Sequence, residues 1–273
     1  MILINCGDSW AHGTELVHPD DRVSDNYSTE WEKTGKSLNY RQEHRYIKLF
    51  GNKVNATKIV DLSIPGTSND TIVRQLFRWL SSYGYIAGKD TSELFVNIGW
   101  TSPERKDFCY KDRLPGENGR WITFYPLWKH DYAQSGLNDF RDLYITNFWT
   151  TEEYMHRWIM QVWQTQMLLK SLNIKYVMHQ AFYHHHKAMI HEWDDNKYIK
   201  NNHNQADLRD IKIWNCVDPI TFMHKNEPET GTFHNYITKK TKEKVLYVNH
   251  PNELGHIMWA DHMYEYCKEF NIL

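Results

Sequence analysis

Short apolar runs alternate with segments of helical periodicity along much of the chain. The apolar runs have the length of strands and end at turn residues; they lie at 1–5, 58–63, 94–98 and 174–178. The helical segments carry apolar residues three and four positions apart; they lie at about 40–50, 69–80, 151–172 and 257–266. This alternation predicts an α/β fold with a mostly parallel central sheet and helices on both faces. A last run at 211–217 has the period-two pattern of a fifth strand.

The composition is that of a globular protein with a mixed surface. The 273 residues are 41% hydrophobic, with a formal net charge of -2 and a pI near 6.8. A nucleic-acid binder that relies on bulk positive charge is therefore not expected. No apolar run reaches the ~20 residues of a membrane span, and no signal-peptide pattern opens the chain. We expect a soluble protein, cytoplasmic or virion-associated. The four cysteines lack Cys-x-x-Cys spacing, which indicates free thiols.

Candidate chemistry begins directly after the first apolar run. The turn at 6–12 places Ser9 at the end of the predicted first strand, where a nucleophile would be accessible. A serine hydroxyl reacts at neutral pH only when a base accepts its proton and donors receive the oxyanion. The best candidate base is His250, in a His-Pro turn before the last helical segment. Gly-Asp-Ser is also a common turn sequence, so the function depends on residues elsewhere.

Together these two segments resemble the first and last sequence blocks of the SGNH, or GDSL-type, hydrolases. The matching residues are Gly7, Asp8, Ser9, His250, Pro251, Gly255 and His256. The resemblance implies a three-layer α/β/α sandwich with a flavodoxin-like sheet, and an esterase or lipase with Ser9 as nucleophile and His250 as base. It also implies a single domain over residues 1–273, because the first and last blocks must meet in space.

The resemblance implies two further blocks that complete the oxyanion hole begun by the backbone N–H of Ser9. Gly66, after the second strand, matches the glycine block and offers an unobstructed N–H. After the third strand, Thr101 stands where the family has asparagine. Either its hydroxyl or the amide of Asn97, which strand alternation places on the same face, would be the third donor. Either Ser68 or Asn69 would be the N-cap of the next helix, and for Asn69 this structural role is favoured over a catalytic one.

The orienting acid is a second departure from the family. Three residues before His250, where the family has aspartate, this chain has Tyr247. A backbone carbonyl, a water or Glu253 would then fix the histidine tautomer, or Ser9 and His250 would work as a dyad. Glu253 with His256 is an alternative pair that fits the family pattern less well.

Two insertions, at about 100–147 and 180–244, lengthen the predicted loops. The first is rich in aromatic residues, which either hold a long loop together or stack on sugar rings. Candidate substrate-binding residues flank the blocks; they are Trp10, Trp100 and Arg105. Arg105 follows the third block closely enough to bind an anion or carboxylate, although a surface salt bridge is the commoner role.

The second insertion contains a histidine-rich stretch, with His184, His185 and His186 followed by His191 and His203. Adjacent histidines cannot all face one ion, and no nearby acidic pair has convincing ligand spacing. The pattern favours an exposed polar loop, and we expect neither a metal nor a cofactor.

These observations predict a serine ester hydrolase acting on an acyl ester, with acyl groups on carbohydrate, as in an acylated polysaccharide, as one substrate class. The alternative is a non-catalytic protein of the same fold, either a virion structural or adhesion protein or a carbohydrate-binding module. The missing asparagine and aspartate favour this alternative. The segments 66–69 and 101–105 resemble divergent phage-encoded members, which suggests a viral origin. The aromatic content leaves a homo-oligomer or virion assembly open.

Overall fold

Four parallel strands form the central sheet of the computed structural model. The structure describes residues 1–21, 35–109, 121–125, 137–182, 211–227, 231–247 and 249–273. The strands are β1 (Ile2–Cys6), β2 (Lys58–Asp61), β3 (Leu94–Trp100), β4 (Lys106–Cys109), β5 (Trp121–Phe124) and β6 (Lys175–Gln180). The helices are α1 (Ser9–His12), α2 (Gly35–His44), α3 (Tyr46–Lys53), α4 (Asn69–Ser82), α5 (Leu137–Asn147), α6 (Thr151–Ser171), α7 (Phe233–Lys240) and α8 (Glu253–Glu269).

The sheet has the strand order β2-β1-β3-β6, so β1 and β3 occupy its centre. Ile4 lies opposite Val60 on one side and Val96 on the other, and Asn97 lies opposite Val177. All seven residues of β3 are buried, as expected for a strand covered on both faces. The α/β fold with a mostly parallel sheet is therefore confirmed.

Alternate residues of each strand point into two different cores, one on each face of the sheet. Ile4 and Val96 share their core with Ile72 of α4 and Trp158 of α6. On the opposite face, the residues before them in the strands, Leu3 and Phe95, pack with residues of α3, α7 and α8; these are Phe50, Phe233 and Trp259. The sheet thus lies between two helical layers, with its carboxyl edge left for the loops.

Two of the predicted elements differ in the structure. The helix predicted at 40–50 is divided into α2 and α3 at Arg45, whose backbone is extended and whose guanidinium pairs with Asp61, the last residue of β2. The fifth strand predicted at 211–217 is instead a 3₁₀-helix, Lys212–Cys216. The buried residues of this segment are Trp214 within the helix and Ile211 and Val217, which flank it. They are three positions apart, which matches the three residues per turn of a 3₁₀-helix.

A single parallel bridge extends the sheet beyond β6, at Phe222 rather than in the predicted run. Phe222 pairs with Met178, whose N–H donates to the carbonyl of Thr221 at 2.7 Å. The N–H of Met223 donates back to the carbonyl of Met178 at 2.8 Å. The chain after the 3₁₀-helix therefore occupies the position of a fifth strand for only one residue pair.

The first predicted insertion contains the antiparallel hairpin β4-β5 and the helix α5. Aromatic side chains from these elements contact one another edge to face; they are Phe108, Phe124, Phe140 and Tyr144. In the described part of this insertion, most of the aromatic residues therefore stabilise the loop. Residues 110–120 and 126–136, with Trp128 and Tyr132, lie outside the described residues.

Most of the second insertion, including the histidines at 184–186, 191 and 203, lies outside the described residues. Within the described ranges, no three His, Cys, Asp or Glu side chains are arranged around a common metal position. Of the helices that the structure describes, none combines the length and apolar character that crossing a membrane requires.

Two histidines are buried in the core between the sheet and α8. Burial lowers the pKa of His179 and of His256 to about 3. His256 Nδ1 accepts a hydrogen bond from the backbone N–H of Tyr46 at 3.2 Å, which requires the neutral ring. In the unfolded chain a histidine titrates near its ordinary pKa of ~6.5, so between pH ~6.5 and ~3 the unfolded state binds protons that the folded state excludes. Stability is therefore complete above pH ~6.5 and decreases as the pH falls toward 3.

We expect His256→Asn to reduce this acid sensitivity. The free energy of unfolding should be lower than that of the parent at pH 7.5, because the smaller side chain leaves a cavity. Its further decrease between pH 7.5 and pH 5 should be smaller than the parent's by on the order of 1–2 kcal/mol. Urea unfolding at the two pH values measures both quantities. The exposed His156 provides the control, since His156→Asn should keep the parent's pH dependence; identical behaviour of the two variants would contradict the assignment.

Candidate functional site

The turn after β1 holds Ser9 as the first residue of the short helix α1. Asp8 is the N-cap: its side chain accepts a hydrogen bond from the backbone N–H of Trp10 at 2.9 Å. The other carboxylate oxygen of Asp8 accepts from the Thr101 hydroxyl at 2.7 Å, which ties the turn to the end of β3. Asp8 and Thr101 are both fully buried. Asp8 therefore fixes the backbone that presents Ser9.

Gly7 lets this turn pack closely against the end of β3. A Cβ atom at position 7 would lie 2.4 Å from the Cβ of Ala11 and 3.1 Å from the carbonyl oxygen of Gly99. No side chain larger than hydrogen fits there without a shift of backbone or helix. The glycine of the motif is thus explained by packing between α1 and β3.

The described structure brings Ser9 and His250 together across 241 residues of sequence. His250 Nε2 lies 2.9 Å from Ser9 Oγ, a hydrogen-bond distance. His250 stands in a turn closed by the Tyr247 N–H, which donates to the His250 carbonyl at 2.9 Å, and by a bridge between Leu246 and Pro251. Helix α8 follows, capped by the side chain of Asn252. A base positioned in this way can accept the serine proton.

Glu15 is the carboxylate at the second ring nitrogen, and no motif in the sequence marks it. Glu15 Oε1 lies 3.0 Å from His250 Nδ1, and Glu15 Oε2 accepts the backbone N–H groups of Asn249 at 3.3 Å and His250 at 3.2 Å. The Nδ1 contact has the separation of an ion pair but not the alignment of a regular hydrogen bond. Glu15 is only 5% exposed, so its charge acts through a medium of low polarity.

Glu15 occupies a left-handed backbone conformation, with φ at 73°. This conformation costs ~1–2 kcal/mol for a residue with a side chain. Gly13, two residues earlier, is also left-handed and donates its N–H to the carbonyl of Ser9 at 3.1 Å. The two reversals fold the segment after α1 back toward Ser9. Strain at Glu15 is thus associated with the placement of its carboxylate at His250.

The acid suggested from sequence, Glu253, occupies a different environment. Glu253 accepts a hydrogen bond from the hydroxyl of Tyr40 at 2.6 Å and another from the hydroxyl of Tyr247. Its carboxylate is held by these phenols at the start of α8, and the position at His250 Nδ1 belongs to Glu15. Tyr247, three residues before His250, is therefore a partner of Glu253.

Two backbone N–H groups near Ser9 have no acceptor among the described residues, those of Ser9 and Gly66. The chain beyond β2 continues alongside β1, with the N–H of Ile64 donating to the carbonyl of Gly7 at 3.0 Å. This pairing brings Gly66 to the same sheet edge as Ser9. Gly66 is exposed, has φ at +70°, and would have no heavy atom within 4 Å of an added Cβ. Both N–H groups remain available to an oxyanion.

The side chains suggested as a third oxyanion donor are engaged elsewhere. The Thr101 hydroxyl donates to Asp8, as described above. The Asn97 amide donates to Asn5 Oδ1 at 2.8 Å and to the hydroxyl of Tyr46 at 2.9 Å, within the core beneath α3. Both residues are completely buried, so neither points at the surface beside Ser9.

Asn69 is a structural residue, although it is not the N-cap. Ser68 caps α4 by accepting the Thr71 N–H, and Asn69 is the first residue of that helix. The Asn69 amide accepts the Thr101 N–H at 2.9 Å and donates to the Thr101 carbonyl at 3.1 Å. This pair of bonds joins the start of α4 to the end of β3, and of the two predicted N-cap candidates the structure has Ser68.

The three residues suggested for substrate binding are placed differently from one another. Trp100 is fully buried in the core with α6, and no substrate can reach it. Trp10 is 2% exposed and packs against Phe182 and His250, with ring centroids 5.4 and 6.4 Å away. Arg105 remains at the surface of the site with 12% of its side chain exposed.

Comparison with known proteins gives one family and several solved structures. The model of a family described as "Family of unknown function (DUF6071)" matches residues 25–209. This range contains β2, β3 and β6 but not Ser9, Glu15 or His250. No curated protein matches the sequence.

Three of the similar solved structures are described as esterases or a lipase. The psychrotrophic esterase EstA from Pseudoalteromonas sp. is 14% identical, with 99% of this chain and 98% of that chain covered and a TM-score of 0.46. A carbohydrate esterase, described as having divergent catalytic and non-catalytic binding functions, is 12% identical, with 98% and 68% covered and a TM-score of 0.44. A protein from Parabacteroides merdae described as a GDSL-like lipase is 14% identical, with 100% and 96% covered and a TM-score of 0.41. At this level of similarity, function has to be argued from the residues of this chain.

We expect Gly7→Ala to destabilise the turn that carries Ser9. The added methyl group overlaps Ala11, so the free energy of unfolding should decrease by ~1–3 kcal/mol, as in other overpacked sites. Gly35→Ala is the matched control, because no heavy atom lies within 4 Å of its added Cβ and its effect should stay within ~0.5 kcal/mol. Urea unfolding compares the two variants, and equal stability would show that α1 and β3 do not require this close approach.

Proposed function

We propose that this chain, which belongs to the DUF6071 family, is a serine ester hydrolase of the SGNH type with Ser9, His250 and Glu15 as its catalytic triad. The observation that carries the proposal is the continuous series of contacts from Ser9 Oγ to His250 Nε2 and from His250 Nδ1 to Glu15. A serine, a histidine and a buried carboxylate in this order are what activation of a hydroxyl nucleophile requires.

The proposed reaction has two half-reactions, and in each of them His250 first accepts a proton and then donates it. Ser9 Oγ attacks the acyl carbon while His250 Nε2 accepts its proton, and the carbonyl oxygen becomes an oxyanion at the N–H groups of Ser9 and Gly66. The carbon–oxygen bond of the ester then breaks, and His250 returns the proton to the departing alcohol. Water then attacks the acyl-enzyme while His250 accepts its proton. The bond between the acyl carbon and Ser9 Oγ breaks, His250 returns the proton to Ser9 Oγ, and the acid is released.

Glu15 is proposed to hold His250 in the tautomer that has its proton on Nδ1. Nε2 is then an acceptor and faces the Ser9 hydroxyl, as base catalysis requires. The negative charge of Glu15, 3.0 Å from Nδ1, also stabilises the imidazolium that forms when Ser9 attacks. The two backbone N–H groups of Asn249 and His250 keep this carboxylate in place.

The substrate class is proposed to be an acyl ester, with acyl groups on carbohydrate as a candidate. The turn at Ile64 and Gly66 is exposed beside the nucleophile, so an acyl group bound there meets both an apolar side chain and a free N–H. Trp121 of the hairpin β4-β5 is 47% exposed, and its ring lies 4.2 Å from the guanidinium carbon of Arg74. An exposed aromatic face of this kind is suited to a sugar ring.

We expect Ser9→Ala to abolish hydrolysis of an aryl acetate, leaving only the rate seen without protein. The variant lacks the oxygen that forms the acyl-enzyme, so a fluorophosphonate probe should label the parent and not the variant. Initial rates and gel fluorescence provide the two measurements. Equal rates for parent and variant, with no labelling of the parent, would favour the alternative of a non-catalytic protein with this fold.

Glu15→Gln and Glu253→Gln distinguish the two candidate acids. Glu15→Gln keeps the size of the side chain but removes its charge, so kcat/KM should fall by ~10²–10⁴-fold. Glu253→Gln alters only the carboxylate held by Tyr40 and Tyr247, and its kcat/KM should stay within ~3-fold of the parent. Steady-state kinetics on the same aryl acetate tests both variants. A larger loss of kcat/KM from Glu253→Gln than from Glu15→Gln would show that Glu15 is not the acid of the triad.

A further inference from the structure

Arg105 is the charged side chain that joins the two turns carrying the free N–H groups. Its Nη1 donates to the carbonyl of Thr67 at 3.0 Å, and Thr67 directly follows Gly66. The same nitrogen lies 3.9 Å from Asp8 Oδ2, and Asp8 directly precedes Ser9. The guanidinium therefore lies beside the sequence neighbours of both proposed oxyanion donors, Ser9 and Gly66.

The cation is held rigidly by aromatic rings. Its guanidinium carbon lies 5.2 Å from the ring centroid of Tyr125 and 5.5 Å from that of Phe182. Phe182 in turn contacts Trp10 edge to face, with centroids 5.4 Å apart, and Trp10 packs beside His250. This layer keeps Arg105 on the side of the sheet edge where Ser9 lies. Nearly nine-tenths of the side chain is buried, so its charge is screened by water far less than that of a surface arginine.

The guanidinium has hydrogen-bond donors left over. Asp8 already accepts the Trp10 N–H and the Thr101 hydroxyl, and its 3.9 Å distance from Arg105 is too long for a hydrogen bond. Arg105 Nε and Nη2 donate to no acceptor among the described residues. A buried cation with unused N–H groups is an anion-binding element, because both its charge and its donors favour a negative oxygen.

We propose that Arg105 is a further catalytic residue, which stabilises the oxyanion formed when Ser9 attacks the ester. This inference rests on the proposed hydrolase function and assigns to Arg105 the donor role that the Thr101 hydroxyl cannot fill while it is bonded to Asp8. An interaction that strengthens as the carbonyl oxygen gains charge accelerates the reaction without tightening binding of the neutral ester. The loss of Arg105 should therefore lower kcat more than it raises KM.

The test compares Arg105→Gln and Arg105→Lys with the parent on two aryl esters, 4-nitrophenyl acetate and the mono-4-nitrophenyl ester of succinic acid. Arg105→Gln should lower kcat ~10²-fold on both esters with KM within ~3-fold, because the oxyanion is common to both. Arg105→Lys keeps the charge and should therefore recover part of the kcat that Arg105→Gln loses. Inhibition by phenylboronic acid, which binds serine as a tetrahedral anion, should weaken in parallel with kcat/KM across the three proteins.

Arg45→Gln is the control for loss of a largely buried arginine. Arg45 pairs with Asp61 and is 13% exposed, close to the 12% of Arg105, and its variant should keep the parent's kcat on both esters. Thermal unfolding of every variant shows whether it is folded at the assay temperature. Arg105→Lys serves if Arg105→Gln does not fold, since its changed donor geometry should still alter kcat and boronate affinity together.

Three outcomes would overturn the inference. An increase of KM for the succinate ester alone would mean that Arg105 binds an anionic group of the substrate rather than the oxyanion. Unchanged kcat and boronate inhibition in both Arg105 variants would show that Arg105 has only a structural role. If the parent is active in that experiment, the proposed hydrolase function is not contradicted. A parent that neither hydrolyses esters nor reacts with a fluorophosphonate would overturn the hydrolase function and this inference together.

Discussion

The buried carboxylate of Glu15 is the interaction on which the arrangement of the site depends. One of its oxygens accepts two backbone N–H groups from the turn at 249–250, and the other faces the ring of His250. A buried carboxylate that loses hydrogen-bond donors costs free energy, so docking of the C-terminal turn stabilises the N-terminal loop. The same contact brings the imidazole to Ser9. Folding of the two chain ends and assembly of the site are thus one event.

The order of strands and helices was predictable because it depends on periodicity, which is local in sequence. The runs that became β1, β3 and β6 are largely buried because both faces of these strands are covered, whereas β2 at the sheet edge is only partly buried. The run at 211–217 shows where this reasoning stops. Its apolar residues fit a strand by alternation, but the three that are buried, Ile211, Trp214 and Val217, follow a period of three. Only the packing of Trp214 against Trp158 and Phe222 decides between the two periods.

The parts of the site carried by short motifs were also accessible from sequence, whereas the long-range partners were not. Ser9, Gly66 and His250 stand in motifs with their own local geometry. Glu15 has no such signal: it is one acidic residue in a polar loop, and its role follows from a left-handed backbone and a partner 235 residues away. Thr101 illustrates the converse. Its position in the third block suggested a donor to substrate, but its hydroxyl donates a hydrogen bond to the carboxylate of Asp8, which is distant in sequence.

Ser9 and Glu15 belong to one short loop, whereas His250 arrives from the far end of the chain. During synthesis the ribosome releases the loop long before it makes the histidine, so the growing polypeptide carries a serine and an acid with nothing to pass a proton between them. An ester that met this nascent chain would find an ordinary alcohol. In the proposed hydrolase, Ser9 becomes reactive only when the turn that carries His250 docks, so the folded state is itself the condition for an activated nucleophile.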